Sequence, residues 1–276
     1  MVDLAFTKVE GLGNDFLLLD RRETSVAQIQ DELTALTALA PRACHRRTGV
    51  GADGILVLGP PRLPEHDGSM WVVNHDGSRP EMCGNGLRCL ALVAAGAGDH
   101  AITIDTDAGP RHCQLTAPST EAGHVDVDMG AGQWLGERTP HAGEGRVFDA
   151  VSIGNPHAVA LTGPDENPEA LARRLGPGIE RAPEFPEGTN VEFCRVEPEG
   201  LRLWVWERGV GITEACGTGA CATAVAAARR GRVPFDTPIA VHLPGGSLEI
   251  RAPADPDAGV RMRGPARVVF RGHMTL

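Results

Sequence analysis

The strongest constraint on how this chain can fold is an internal repeat. Glu81-Met82-Cys83-Gly84-Asn85-Gly86 is matched by Glu214-Ala215-Cys216-Gly217-Thr218-Gly219. Asn14 in GLGND pairs in the same way with Asn155 in SIGNP, and Ile55 after a glycine with Val191 after an asparagine, at offsets close to half the chain. A duplicated chain of 276 residues folds as two similar halves. The expected class is α+β, with several strands packed on one central helix in each of two pseudo-symmetric domains. The halves are expected at 1–120 and 121–266, with the terminal strand 267–276 returning to the first and the active site in the cleft between them. The polar, glycine-rich stretch Pro118 to Gly123 is the expected crossover.

Apolar runs bounded by turn formers predict strands at Phe16 to Leu19, Ile55 to Leu58, Met70 to Val73, Val191 to Phe193 and Leu201 to Val205. Helical patterns cover 25–45, 86–96, 168–175 and 219–230. The second and fourth carry almost no charge and therefore read as buried on most sides. Each opens directly after a repeated cysteine.

Composition removes several classes of function. With 36 acidic against 26 basic residues the net charge is -10, which disfavours nucleic acid or an anionic membrane surface as a partner. Lys8 is the single lysine and tyrosine is absent, so most pyridoxal-phosphate chemistry is disfavoured. The seven cysteines are odd in number and form no CxxC pair, which points to reduced thiols, and the cytoplasm is the expected compartment. No apolar run reaches the roughly 18 residues of a membrane span. GVGADG at 49–54 matches the dinucleotide fingerprint formally, but a helical pattern precedes it and a strand follows, the reverse of the order that fingerprint needs. The ten histidines show no HxH or HExxH spacing. No metal and no cofactor are expected.

A helix N-terminus offers backbone N–H groups without intrahelical partners and a positive dipole end, so it can hold an anion and lower a thiol pKa. For one such cysteine, a small buried residue beside a tight turn is the simpler reading. The duplication reverses it: two equivalent thiols are what a reaction needs when one face of a carbon loses a proton and the other gains one. Cys89, Cys221, Cys44, Cys113 and Cys194 lack this context and read as packing. Asn14, Asn74, Asn155, His157, Asn190, Glu207 and Arg208 lie at strand ends or turns in the matching halves. Singly each reads as a turn former or surface residue; their clustering favours a site, where Glu207 and Arg208 could hold an ammonium and a carboxylate.

The motifs GLGNDF at 11–16, GVGADG at 49–54, NHDGSRPEMCGNGLRC at 74–89, GNPH at 154–157, WERGVGITEACGTGACA at 206–222, PGG at 244–246 and GPA at 264–266 together resemble the diaminopimelate epimerases over nearly the whole chain. One cysteine motif alone would also fit proline racemases or phenazine-pathway isomerases. The resemblance implies two barrel-like domains, each a mixed or antiparallel sheet wrapped on a central helix. It implies a homodimer that interconverts LL- and meso-2,6-diaminopimelate without a cofactor, in lysine and peptidoglycan synthesis. Carried over by motif, Cys83 and Cys216 are base and acid, supported by His157 and Glu207. Gly84, Asn85, Gly217 and Thr218 would receive the reacting carboxylate, and Asn14, Asn74, Asn155, Asn190, Glu207 and Arg208 would bind the rest of the substrate. The chain departs from the common pattern at Glu10, Gly54, Trp206 and Ile212. Rival readings are a thiol-redox switch, a non-catalytic amino-acid binder, and a racemase of another amino acid; the doubly charged residue set favours a long substrate with two charged ends.

Overall fold

A computed structural model describes residues 3–275, which fall into two compact units, Met1–Val127 with Gly264–Leu276 and Asp128–Arg263. The first unit contains β1 (Asp3–Gly11), β2 (Asn14–Asp20), α1 (Val26–Ala43), β3 (Gly54–Gly59), β4 (Gly68–Asn74), α2 (Gly84–Ala95), β5 (Gly98–Thr106), β6 (Gly109–Ser119) and most of β7 (Ala122–Ala131). The second contains β8 (Gln133–Arg138), β9 (Phe148–Ser152), β10 (Pro156–Thr162), α3 (Pro168–Glu180), β11 (Asn190–Glu197), β12 (Gly200–Glu207), β13 (Gly211–Ile212), α4 (Gly217–Arg229), β14 (Ile239–Leu243) and β15 (Gly246–Arg251). The last strand, β16 (Gly259–Thr275), begins in the second unit and ends in the first. The unit boundaries therefore fall inside β7 and β16. The stretch from Pro118 to Gly123 is no crossover: it is the hairpin between β6 and β7, with Ser119 facing Ala122.

Within each unit the same sequence of steps recurs. In the first, antiparallel β1–β2 leads through α1 to β3, parallel to β2; antiparallel β3–β4 leads through α2 to β5, parallel to β4. In the second, β9–β10, α3, β11, β12, α4 and β14 repeat those pairings strand for strand. Parallel neighbours need a long crossover, and the helices supply it. In the first unit the order β1-β2-β3-β4-β5-β6-β7-β16 closes because β16 pairs back to β1, giving an eight-strand barrel. Mixed sheets wrapped on helices are thus the architecture of both halves.

The two central helices are buried almost throughout, α2 over Gly84–Leu92 and α4 from Gly219 to Ala228. Alanine, glycine and cysteine dominate them because strands approach from several sides and leave no solvent face to be charged. The other two helices are amphipathic. In α1, Ile29, Leu33, Leu36, Ala40 and Ala43 form the buried stripe, and Ser25 with Gln28 makes a capping box. The sequence reading ends the third helix at 175, before Gly176-Pro177-Gly178, whereas α3 continues to Glu180. Gly176 serves packing there: a Cβ on it would lie 2.6 Å from Trp206 Cβ, so the helix can close on β12 only at a glycine.

Several strands, among them β5 to β8, escape a search for apolar runs. Strand β6 shows why: its apolar residues Cys113, Leu115 and Ala117 alternate with exposed Gln114, Thr116 and Pro118. That period of two is the mark of a sheet with one wet face.

Three thiols deep in these layers carry a stability consequence. Burial pushes the Cys44 thiol up to about 11 and the Cys89 and Cys194 thiols up to about 12. A raised folded-state pKa means the native state holds its proton more tightly. Stability is therefore intact below the unfolded thiol value of about 8.5 and declines as pH rises toward the folded values. Urea unfolding followed from pH 7 upward should show a falling free energy beyond about pH 9. Cys194→Ala should flatten that decline by about 1.4 kcal/mol per pH unit.

Candidate active site

Both repeated cysteines are helix N-caps. Cys83 heads α2 with φ -135° and ψ 114°, and its Sγ accepts the Gly86 N–H at 3.5 Å. Cys216 heads α4 with φ -121° and ψ 106°, and its Sγ accepts the Gly219 N–H at 3.4 Å. The expected helix starts at 86 and 219 thus move to Gly84 and Gly217, because the cysteine carbonyls already accept from Leu87 and Ala220. Sulfur stands in the place that serine or aspartate usually fills. The glycines three residues on leave room for a neighbour: a Cβ on Gly86 would lie 2.8 Å from Leu56, and one on Gly219 would lie 2.9 Å from Glu192 Oε1.

In the first unit, a two-residue turn sets Asn14 in place. Leu12 at φ 58° and Gly13 at φ 77° both occupy the left-handed region that a tight hairpin demands. For leucine this conformation costs roughly 1–2 kcal/mol. Asn14 Nδ2 donates to Asp53 Oδ2 at 2.8 Å, and its Oδ1 accepts from Asn85 Nδ2 at 3.2 Å. Asn85 Oδ1 in turn accepts from Arg88 Nη2 at 2.9 Å. Arg88 is fully buried and also donates to the Pro265 carbonyl at 3.2 Å. Asp53 accepts a further bond from Arg46 at 2.7 Å, while Asp15 is held by Arg46 and by Lys8. Asn14 and Asn85 are therefore joined, with Asp53 fixing which way each amide faces. Asn74 stands apart at the end of β4, bonded to Ser78 Oγ at 2.9 Å within its own turn.

In the second unit, His157 is buried between two acceptors: Glu192 Oε1 at 2.7 Å from Nδ1 and Asn155 Oδ1 at 2.9 Å from Nε2. Asn155 Nδ2 donates to Thr218 Oγ1 at 3.3 Å, and Thr218 Oγ1 lies 3.6 Å from Cys216 Sγ. Glu207 accepts from the Thr213 hydroxyl, and its charge acts on the Cys216 thiol. Asn190 is used as a brace, donating to the Pro156 carbonyl and accepting the Arg208 N–H, both at 3.0 Å. The expected acid–base couple of Glu207 and Arg208 divides: Glu207 takes the Thr213 hydroxyl, and the Arg208 guanidinium reaches the Glu187 carbonyl at 2.8 Å.

Electrostatics at Cys216 run against the expectation from its helix position. Burial, then the carboxylates of Glu207 and Glu192, push this thiol well above its ordinary value, and the bonds from Thr218 and Gly219 only partly offset them. The helix dipole is outweighed because two acids share the same dry volume. Burial likewise raises Glu207 and Glu192, against the pull of Thr213 on the first and His157 on the second.

Sequence reasoning missed Glu192, Asp53, Arg88 and Thr213. Glu192 and Asp53 each lie in or beside a quoted motif or strand, and a charged residue inside the apolar run Val191 to Phe193 was the available signal. Of the departures, Trp206 donates its indole N–H to Glu180 Oε2 at 2.7 Å, which ties β12 to α3. Glu10 accepts from Gly13 N and Arg267, bracing the turn before Asn14.

The family model described as diaminopimelate epimerase matches residues 6–135 and 149–269. The diaminopimelate epimerase of Synechococcus sp. (strain JA-3-3Ab) is 44% identical over 98% of this chain and 97% of its own length. That of Desulfitobacterium hafniense is 40% identical, with 98% of this chain and 97% of the relative covered. Among solved structures, a hydroxyproline epimerase from Agrobacterium vitis has a TM-score of 0.70 at 15% identity, covering 99% of this chain and 93% of that one. A phenazine biosynthesis protein from Bacillus anthracis has a TM-score of 0.71 at 12% identity over both full chains. These two share the fold. The chain belongs to the diaminopimelate epimerase family.

Proposed function

We propose that this protein is an isomerase that interconverts LL- and meso-2,6-diaminopimelate without a cofactor, Cys83 and Cys216 exchanging a proton with the two faces of one Cα. The observation that carries the reading is the equivalence of the two thiols, each an N-cap on an equivalent buried helix. Family membership supplies the substrate.

An amino acid Cα–H is a very weak acid, so a thiolate can remove its proton only where charge developing on the carboxylate is stabilised. The N–H groups of Gly84, Asn85, Gly217 and Thr218 stand at the helix heads suited to that task. One thiolate takes the proton from Cα while the opposite thiol delivers its own; the products are the inverted centre and the same two sulfurs with their protonation exchanged. With its pKa raised, Cys216 rests as a thiol and acts as the acid in the first turnover. Cys83 is then the base in that direction. Water must be kept from the carbanion, so ligand-driven closure belongs to the mechanism. Asn14, Asn74, Asn155, Asn190, Glu207 and Arg208 would read the distal, doubly charged end of the substrate. We propose further that the enzyme is a cytoplasmic homodimer, a state that sedimentation equilibrium distinguishes from a monomer.

The deciding experiment is NMR of reduced protein with LL-diaminopimelate in D2O. Deuterium should enter Cα together with meso product, and Cys83→Ser or Cys216→Ser should each lower the rate by at least about a thousandfold. Absence of exchange in the wild-type protein would remove this substrate. A second test addresses Asn14. Loss of its anchor in Asp53→Ala should raise KM about tenfold with a smaller change in kcat, and an unchanged KM would take Asn14 out of the binding set.

A further inference from the structure

Arg88 is a fully buried guanidinium at a place where packing does not require one. In the repeat the same place, five residues after the thiol, falls to Cys221, which is buried to the same degree. A cation loses its hydration on burial, a cost the fold avoids at the equivalent position. The second residue of each helix differs alongside it: Asn85 in α2 and Thr218 in α4. In both units this residue bonds the asparagine beside the turn, Asn85 to Asn14 at 3.2 Å and Thr218 to Asn155 at 3.3 Å. A hydroxyl rotates to suit the group it meets, whereas an amide has a donor end and an acceptor end that a half-turn exchanges. The arginine is present in the unit where two amides face each other.

We propose that Arg88 is a positioning residue for substrate recognition, fixing the donor–acceptor polarity of the Asn85 and Asn14 amides from the protein interior. This role rests on reading Asn14 as part of the substrate-binding set. The directions along the chain of bonds follow from a group that has no second role. A guanidinium only donates, so the Asn85 atom 2.9 Å from Arg88 Nη2 is the oxygen. The Asn85 atom facing Asn14 is then Nδ2, which donates to Asn14 Oδ1. That leaves Asn14 Nδ2 to donate to Asp53 Oδ2 at 2.8 Å. The far end gives the same answer independently, because Asp53 Oδ2 also accepts the Asp15 N–H at 3.0 Å and its Oδ1 accepts Arg46 Nη2 at 2.7 Å. Arg88 is itself aimed by the Pro265 carbonyl at 3.2 Å and the Gly84 carbonyl at 3.5 Å. An amino acid brings an ammonium that donates and a carboxylate that accepts. An amide of fixed polarity tells the two apart, and a turned amide offers each the wrong atom.

The test compares Arg88→Met, which keeps an unbranched side chain and removes the donors, with the wild type. In turnover of diaminopimelate KM should rise about tenfold with a smaller change in kcat. A role confined to tying α2 to Pro265 would lower the amount of folded enzyme and leave KM alone, so an unchanged KM overturns the proposal. In the Asn14→Ala background the same substitution should change KM by less than about twofold; a further rise of about tenfold would show that Arg88 does not act through Asn14 and would likewise overturn it. A second readout uses no substrate. With asparagine side-chain amides labelled 15N, the Asn14 signals, assigned by their loss in Asn14→Ala, should move in Arg88→Met although Asn85 stands between the two residues. Unmoved Asn14 signals in the folded variant overturn the proposal whatever the substrate. Moved signals in a protein that fails the Cα exchange experiment would support the Arg88 role and remove the diaminopimelate assignment alone. Should Arg88→Met not fold, neutron diffraction from crystals of the perdeuterated wild-type protein reads the polarity directly. Deuterons on the Asn85 atom facing Asn14 and on the Asn14 atom facing Asp53 support the proposal, and the reverse placement overturns it.

Discussion

Everything at the candidate site depends on a sulfur atom accepting a backbone N–H at the head of a buried helix. The bond is weak, at 3.5 Å for Cys83 and 3.4 Å for Cys216. It nonetheless fixes three things at once: where the helix begins, which face of its first turn the thiol takes, and that the next N–H groups remain at the helix head. A serine could cap as well or better, so capping alone does not explain cysteine.

The helix setting and the pocket setting oppose each other at Cys216. A helix N-terminus favours thiolate, while burial with Glu207 and Glu192 favours thiol, and the second wins. The polar wiring also differs between the two halves of the duplicated molecule. The Cys83 half keeps Phe16 and Leu56 in its core, and its polar network runs instead through Asn14, Asn85 and buried Arg88. Two copies of one supersecondary plan have thus been given different electrostatic tasks while keeping the same strand register.

Much of the fold was legible in the sequence because the duplication doubles every signal: paired cysteine motifs, paired charge-poor helices and paired asparagines at turns. The half-wet strands were not, since alternation such as Cys113, Leu115 and Ala117 is short and polar residues interrupt it. Gly176-Pro177-Gly178 misled as a helix stop because a glycine needed for contact with Trp206 looks the same as a glycine needed to end a helix.

By itself the sequence determined the family, through motifs spread along the whole chain, and singled out the duplicated cysteine before Gly-x-Gly as the candidate pair of thiols. Only the tertiary structure decided which partners each site residue has. Glu192 meets His157 across parallel strands joined by a helix, Asp53 reaches Asn14 from a separate turn, and Glu207 and Arg208, adjacent in sequence, part company. Spacing along a chain cannot report these pairings. They follow from strand register and from how much water each volume excludes, and those quantities exist only once the layers have packed.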